Sequence, residues 1–175
     1  MASVPFLGFV GWSDSGKTTL VTRLIQSLSE TGLKIGAVKH HHKIFEIDHK
    51  GKDSWRFTAA GARKTVITGP HQTALVERTE TQRSLEEIAS SYLDDLDLVL
   101  VEGFKLAEIP KIEVQRPGID RPLLTRHENF DPHLIAVVSD CRRKELDVPC
   151  FAPDEISRLT AFIRDHFQLG PDFRQ

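Results

Sequence analysis

The stretch GWSDSGKTT, residues 11 to 19, constrains the fold more than any other part of the chain. Gly11 and Gly16 are followed by Lys17, Thr18 and Thr19, so the run satisfies G-x-x-x-x-G-K-[ST] at every fixed position. Its flanks fit the same reading. PFLGFV, residues 5 to 10, is a short apolar run of the kind that forms a buried strand. From 17 to 31, Leu20, Leu24, Ile25 and Leu28 recur at helical spacing until Gly32 stops the helix. Strand, glycine loop and helix in that order make an anion cradle. The glycines allow bends that turn several backbone N–H groups inward, and the helix start adds the positive end of its dipole. Lys17 brings a mobile charge for the outer phosphates. The Thr18 hydroxyl suits Mg2+, a hard cation that takes few protein ligands and keeps several waters. Gly11, Ser13, Asp14, Ser15, Gly16, Lys17, Thr18 and Thr19 are the candidate phosphate-binding residues.

Asp14 is the unexpected member, because a carboxylate beside polyphosphate repels it. Aspartate tolerates left-handed backbone better than most residues other than glycine, and its side chain can face away from the phosphates or meet a cation. The loop resembles those of translational GTPases, in which an aspartate stands at the same place. That likeness implies a water or a monovalent cation between Asp14 and the nucleotide. A solvated turn residue is the alternative reading.

Strands and helices alternate along the rest of the chain. LKIGAVKH (33 to 40) reads as a strand and HHKIFEIDHKGKDS (41 to 54) as a long polar loop. WRFTAAGA follows as a helix capped by Asp53 or Ser54. KTVIT and TALVE, around Gly69-Pro70-His71-Gln72, read as a hairpin. SLEEIASSYLDDL (84 to 96) is an amphipathic helix, and DLVLVEGF (97 to 104) is the most apolar strand. KIEVQR (111 to 116), LIAVVSD (134 to 140) and Cys150-Phe151 are further strands, with a polar loop at 117 to 133. Pro153 opens a last helix with Ile156, Leu159, Ile163 and Phe167 on one face. The pattern predicts an α/β fold of the P-loop NTPase type, three-layered, with a mostly parallel sheet and an added antiparallel hairpin. The 175 residues suit a single nucleotide-binding domain over 1 to 170, with 171 to 175 as a frayed tail.

Ligands of such folds bind at the carboxyl ends of the strands. The apolar strand ends at Glu102-Gly103, and a carboxylate there faces the magnesium site in P-loop proteins. Glu102 is thus a metal candidate and, with Lys17, a catalytic candidate. Asp53 is a third acidic candidate for the metal, with Asp48 as its competitor, and each also reads as a cap or turn residue. The motif alone does not choose ATP or GTP, and the guanine signature N-K-x-D is absent. Ser139-Asp140 follows a late strand where that signature would sit. Asp140 is placed to accept hydrogen bonds from guanine N1 and N2, or else is a plain turn residue.

Lys39, His40, His41, His42 and His49 match no zinc signature. A loop offering imidazole and ammonium groups to an anionic ligand fits them better than a metal centre. Lys52, Arg56 and Lys105 are further cations for a phosphate; a solvated loop is the alternative for each histidine and a plain surface charge for each of these cations. Net charge is −2, with no basic excess for nucleic acid and no polybasic run for a membrane surface. No apolar run reaches transmembrane length. Cys141 and Cys150 lack C-x-x-C spacing, and the opening residues lack the positive start of a signal peptide. A cytoplasmic protein is expected.

GWSDSGKTTL, V-K-H-x-H at 38 to 42, the GKDS stretch around Asp48 to Ser54, AGA at 60 to 62 and DLVLVEGFK at 97 to 105 occur in that order. Together they resemble the molybdopterin-guanine dinucleotide biosynthesis protein B (MobB) family over about residues 5 to 140. Asp14 departs from the glycine common in that family's loop. The resemblance implies a GTP-binding protein with weak GTPase activity, dependent on Mg2+ and forming a homodimer. It implies an accessory role beside the nucleotidyltransferase that attaches GMP to molybdopterin. By that likeness Gly16, Lys17, Thr18 and Thr19 hold phosphates and Glu102 serves magnesium. No glutamine is evident to position an attacking water, so turnover is expected to be slow. Two rivals remain: a small-molecule kinase or ATP-dependent ligase of the dethiobiotin-synthetase-like type, whose strand-end Glu-Gly resembles Glu102-Gly103, and a regulator that uses the nucleotide only as a switch.

Overall fold

The computed structural model describes residues 4–41, 43–116, 122–126, 130–139 and 146–170. In chain order the elements are β1 (Phe6–Val10), α1 (Lys17–Ser29), β2 (Ile35–Lys39), α2 (Asp53–Ala59), β3 (Lys64–Thr68) and β4 (Thr73–Glu77). They continue with α3 (Leu85–Tyr92), β5 (Leu98–Glu102), β6 (Lys111–Val114), β7 (Leu134–Val138), β8 (Cys150–Phe151) and α4 (Ile156–His166). The chain divides into two compact units, Met1–His40 with Ala89–Gln175, and His41–Ile88.

The first unit is built on a six-stranded sheet in the order β2-β5-β1-β6-β7-β8, with every pairing parallel. β1 lies inside it and is buried along its whole length, as its unbroken apolar run requires of a strand covered on both faces. Register decides what each face carries. Leu7 stands beside Leu100, Phe9 beside Glu102 and Ile112, and Ile112 beside Ala136. On this face Leu7, Phe9, Leu100 and Ile112 join one core with Leu20, Leu24 and Leu28 of α1 and Leu159 and Ile163 of α4. Each such fully buried side chain contributes about 1.5–3 kcal/mol relative to exposure. α1 ends as the sequence predicts, with Gly32 at φ 88 just beyond it.

On the opposite face β6 meets loop rather than helix, and this changes its chemistry. Lys111, Glu113 and Gln115 alternate with Ile112 and Val114, a pattern that on its own places the polar set in water. Instead all three are buried, Lys111 at 2% exposure and Glu113 at 1%. Glu113 accepts hydrogen bonds from Leu124 N (2.7 Å), Thr125 N (3.0 Å) and Thr125 Oγ1 (2.6 Å). Lys111 Nζ donates to Asp131 Oδ2 at 2.6 Å. Leu123 packs with Leu134 and Val137 beneath this segment. A covered loop has backbone donors that must be satisfied, and a buried carboxylate satisfies several at once with strong charge-assisted bonds. This is the work of the described part of the stretch predicted as a polar loop at 117 to 133.

In the second unit β3 and β4 form an antiparallel two-stranded sheet that pairs Lys64 with Glu77 and Val66 with Leu75. Its strands coincide with the predicted KTVIT and TALVE runs. Glu77 accepts from Arg83 at 2.8 Å, and Thr58 Oγ1 and Thr65 Oγ1 share a hydrogen bond of 2.9 Å. Helix boundaries differ from expectation in three helices, α4 among them, which begins at Ile156 rather than at Pro153. The residue capping α2 is Lys52, and Asp53 is the first helical residue, where its charge complements the helix dipole. α3 stops at Tyr92, short of the Leu93–Leu96 stretch that the sequence pattern includes. Its start is a reciprocal cap: Glu87 N donates to Ser84 Oγ at 3.2 Å, and Ser84 N to Glu87 Oε2 at 2.8 Å. Among the described residues no helix is long and apolar enough to cross a membrane. His42, Asp140, Cys141 and the tail at 171 to 175 lie outside the described residues.

Burial alone would raise the Asp131 carboxyl, but hydrogen bonds from Lys111 Nζ and His133 N outweigh it and hold the group below its ordinary value. A carboxylate depressed in the folded state stabilises the fold above its unfolded pKa of about 3.9 and loses that contribution as pH falls through the lower folded value. Lys111→Met, which keeps the buried stem, should therefore be less stable than the parent at neutral pH and converge with it as pH falls through the depressed folded value of Asp131. Urea midpoints measured across that window check the convergence.

Candidate nucleotide-binding site

The loop between β1 and α1 carries its strain where the sequence places glycine or aspartate. Gly11 has φ 143, Asp14 φ 59 and Gly16 φ 89. The two glycines are needed for different reasons. A Cβ on Gly11 would lie 2.3 Å from Val114 O of β6, so the close approach of two strand ends excludes any side chain. A Cβ on Gly16 would meet nothing within 4 Å, so its left-handed backbone and the open space above it face the solvent side. Asp14 takes the left-handed conformation that aspartate tolerates. Ser13, Asp14, Thr18 and Thr19 are exposed, whereas Ser15 is buried.

Lys17, the first residue of α1, folds its side chain back over the loop. Nζ donates to Trp12 O at 2.6 Å, Gly11 O at 3.2 Å and Ser15 Oγ at 3.2 Å. Desolvation lowers the pKa of this ammonium, Glu102 opposes the shift, and the charges of Lys105 and Lys39 add to it. Thr18, one residue on, donates from Oγ1 to Glu102 Oε2 at 2.9 Å. Glu102 is the last residue of β5, and its other oxygen lies 3.4 Å from Lys39 Nζ at the end of β2. The register pairs Lys39 with Glu102 directly, so both side chains leave the sheet on the face that carries α1. Beyond Glu102 the chain turns sharply through Gly103 (φ 104) and Phe104 (φ 48). A Cβ on Gly103 would lie 2.7 Å from His40 Cβ. His40 N donates to Glu102 O at 2.8 Å, and the His40 ring packs on Phe104 at 4.6 Å.

The Thr18 and Glu102 oxygens fit a magnesium site. Two neighbouring ligands on an octahedral ion at about 2.0–2.1 Å are separated by about 2.9 Å, the spacing of this pair. Both are hard oxygen donors at the edge of the phosphate loop. Among the described residues no group of three or more His, Cys, Asp or Glu is placed to hold a metal. An ion completed by phosphate oxygens and water needs no such group.

On the other side of β1 a cleft of about 360 Å³ opens beside the loop, lined among others by Asp14, Gly16, Thr19, Arg23, Arg116 and Pro153. Its floor includes Val114 of β6 and Val138 of β7. Arg23 Nη1 donates to Pro153 O at 2.9 Å and so ties α1 to the turn after β8. The cleft has the size and mixed lining of a small-ligand site. Arg23 escaped the sequence reading, although its i,i+4 spacing from Thr19 places both on one side of α1. The structure thus unites Lys17, Thr18 and Glu102. Asp53 belongs to the second unit, where it is exposed and pairs with Arg56 at 3.8 Å. Asp48 accepts from His49 N at 2.8 Å in the same unit.

The family model for molybdopterin guanine dinucleotide synthesis protein B, MobB, matches residues 6–140. The chain belongs to the MobB family. It is 37% identical over 170 residues to the molybdopterin-guanine dinucleotide biosynthesis adapter protein of Escherichia coli (strain K12), covering 94% of each chain. The adapter protein of the same designation from Haemophilus influenzae is 34% identical over 93% of this chain and 89% of its own. A crystal structure of molybdopterin-guanine biosynthesis protein B superposes with a TM-score of 0.75 at 34% identity, over 93% of this chain and 99% of that one. The MobB crystal structure from Bacillus subtilis gives 0.73 at 28% identity, over 92% and 96%. The family match runs through every residue of the Lys17, Thr18 and Glu102 site. It agrees with the P-loop α/β fold described above.

The two loop glycines of this MobB-family chain separate stability from ligand approach. Gly11→Ala should cost about 3 kcal/mol, from overpacking against Val114 O and an unfavourable φ. Gly16→Ala should cost about 1–2 kcal/mol from φ alone while blocking the approach of an anion to the loop. Urea unfolding of both variants, paired with titration of a nucleoside triphosphate, checks the contrast.

Proposed function

We propose that this chain binds GTP with Mg2+ at the phosphate loop. In this reading it acts in the cytoplasm as an accessory factor where GMP is joined to molybdopterin. The observation that carries the nucleotide reading is the Thr18–Glu102 oxygen pair at 2.9 Å beside the Lys17 ammonium. The pathway reading rests on the family and on relatives named as biosynthesis adapter proteins. Its partners would then be molybdopterin and the GMP-transferring nucleotidyltransferase.

Each side chain has a task set by its position. The amides of the loop and the start of α1 offer donors to an anion. Lys17 exchanges carbonyl acceptors for phosphate oxygens, which match its charge better. Thr18 and Glu102 hold Mg2+, which when bound neutralises charge on the outer phosphates. Asp140 follows Ser139 at the carboxyl end of β7 and is our candidate for reading guanine. A hydrolytic role remains slow, because a P-loop carboxylate without a water-positioning glutamine aligns the attacking water poorly.

Binding of GTP and ATP, with and without Mg2+, tests the proposal. Lys17→Ala should weaken GTP by about 100-fold without unfolding the chain. Thr18→Ala should remove most of the gain that Mg2+ brings while leaving metal-free binding in place. A preference for ATP with substrate-dependent turnover would instead place the chain among small-molecule kinases or ligases.

We further propose that the chain forms a homodimer through the β3–β4 hairpin. The cross-strand pair Val66 and Leu75 is 60% and 39% exposed. A lone two-stranded sheet is marginally stable in water, and a second chain laid against it would cover this apolar surface. Val66→Asp should shift the protein toward monomer in sedimentation velocity, with its nucleotide affinity retained.

A further inference from the structure

The site has a direction. The cleft lies over β6 and β7, the phosphate loop rises from β1, Glu102 ends β5 and Lys39 ends β2. Strands are spaced about 4.8 Å apart, so Lys39 stands about 10 Å out from β1, on the side away from the cleft. A nucleotide with its nucleoside in the cleft and its inner phosphates in the loop points its chain end toward β5 and β2. We propose that Lys39 is the residue that grips the terminal phosphate, and that it makes the site favour a nucleoside triphosphate over a diphosphate. This rests on the nucleotide reading of the same site.

Three observations support it. Lys39 and Glu102 are register partners, and the ammonium sits 3.4 Å from Glu102 Oε1 while Thr18 holds the other oxygen. Lys39 therefore stands next to the pair that would hold the metal, on its outer side. Next, the Lys39 side chain is 60% exposed. Its partner Glu102 is 18% exposed, but the ammonium itself stands in solvent at 3.4 Å and can turn from the carboxylate to a doubly charged phosphate group. Last, the neighbourhood of Lys17 holds more ammonium than carboxylate charge. Lys17 feels the charges of Lys39 and Lys105 as well as those of Glu102 and Asp14, three ammonium groups against two carboxylates. Lys17 reaches the loop, and Lys39 is the one that the register aims past Glu102.

Lys39→Ala and Lys39→Met should weaken GTP by about tenfold and GDP by no more than about twofold, so the triphosphate preference collapses. The collapse should persist in EDTA, since it stems from the ammonium itself. Lys39→Arg should recover part of the preference. Lys105→Ala serves as the comparison, because it removes an equal charge and should weaken both nucleotides by a similar factor. Thermal melts establish that each variant is folded, and the exposed position predicts unchanged midpoints. Equal loss for GTP and GDP in the Lys39 variants would reduce Lys39 to a support for Glu102 and overturn the inference, as would no loss at all. Either result with Lys17 dependence intact leaves the nucleotide site standing. A parent protein that binds neither nucleotide overturns both.

Discussion

Glu102 occupies the point at which three elements of the first unit meet, and the sheet register puts it there. β5 lies between β1 and β2, so its last residue is abreast of Phe9 on one side and Lys39 on the other. A slip of one residue would send the carboxylate to the opposite face, away from α1 and Thr18. Asp97 opposes that slip at the other end of β5, where its carboxylate accepts from Lys34 N at 2.7 Å and its N donates to Lys34 O at 2.9 Å. The tight turn through Gly103 and Phe104 then leads the chain away beneath His40.

The two sheet faces solve different problems. The face under α1 and α4 is apolar, and its order comes from packing. The face under residues 122–126 meets irregular backbone, whose Leu124 and Thr125 N–H groups turn to the sheet for acceptors. Glu113 supplies the acceptors from within the sheet, and Lys111 fixes the far end of the segment through Asp131. Replacing this arrangement with a greasy strand would leave the loop's donors without partners, at about 1–3 kcal/mol each. Polar residues at the heart of a parallel sheet are here the cost of having a loop as a roof.

The phosphate loop was legible because its requirements are local. Spacing, glycine and the first helical turn all lie within nine consecutive letters, and backbone geometry follows from them. The hairpin was legible for a similar reason: two β-rich runs flank one turn. The α/β class followed from alternation. Strand order did not, since nothing in the chain announces that β5 inserts between β1 and β2. The contact of Lys39 with Glu102 depends on that insertion, which is why the sequence reading offered Lys39 to an anionic ligand but did not pair it with Glu102. The burial of Lys111, Glu113 and Gln115 was not legible for another reason. Period-2 patterning separates two faces but does not say what covers either one. The α2 cap was misplaced by one residue because Lys52 caps it without a side-chain bond, leaving no preferred cap residue to recognise.

β6 also joins two regions that are far apart in sequence. Its residue Val114 abuts Gly11 closely enough to exclude a methyl group, and one residue earlier Glu113 carries the 122–126 segment on the reverse face. Trp12, next to Gly11, adds a bond from its indole to Pro122 O at 3.3 Å. The strand behaves as a rafter bearing load on both sides. Damage at Thr125 would be transmitted to the anion cradle through it, so a lesion in that remote segment would present itself as a failure of the phosphate loop.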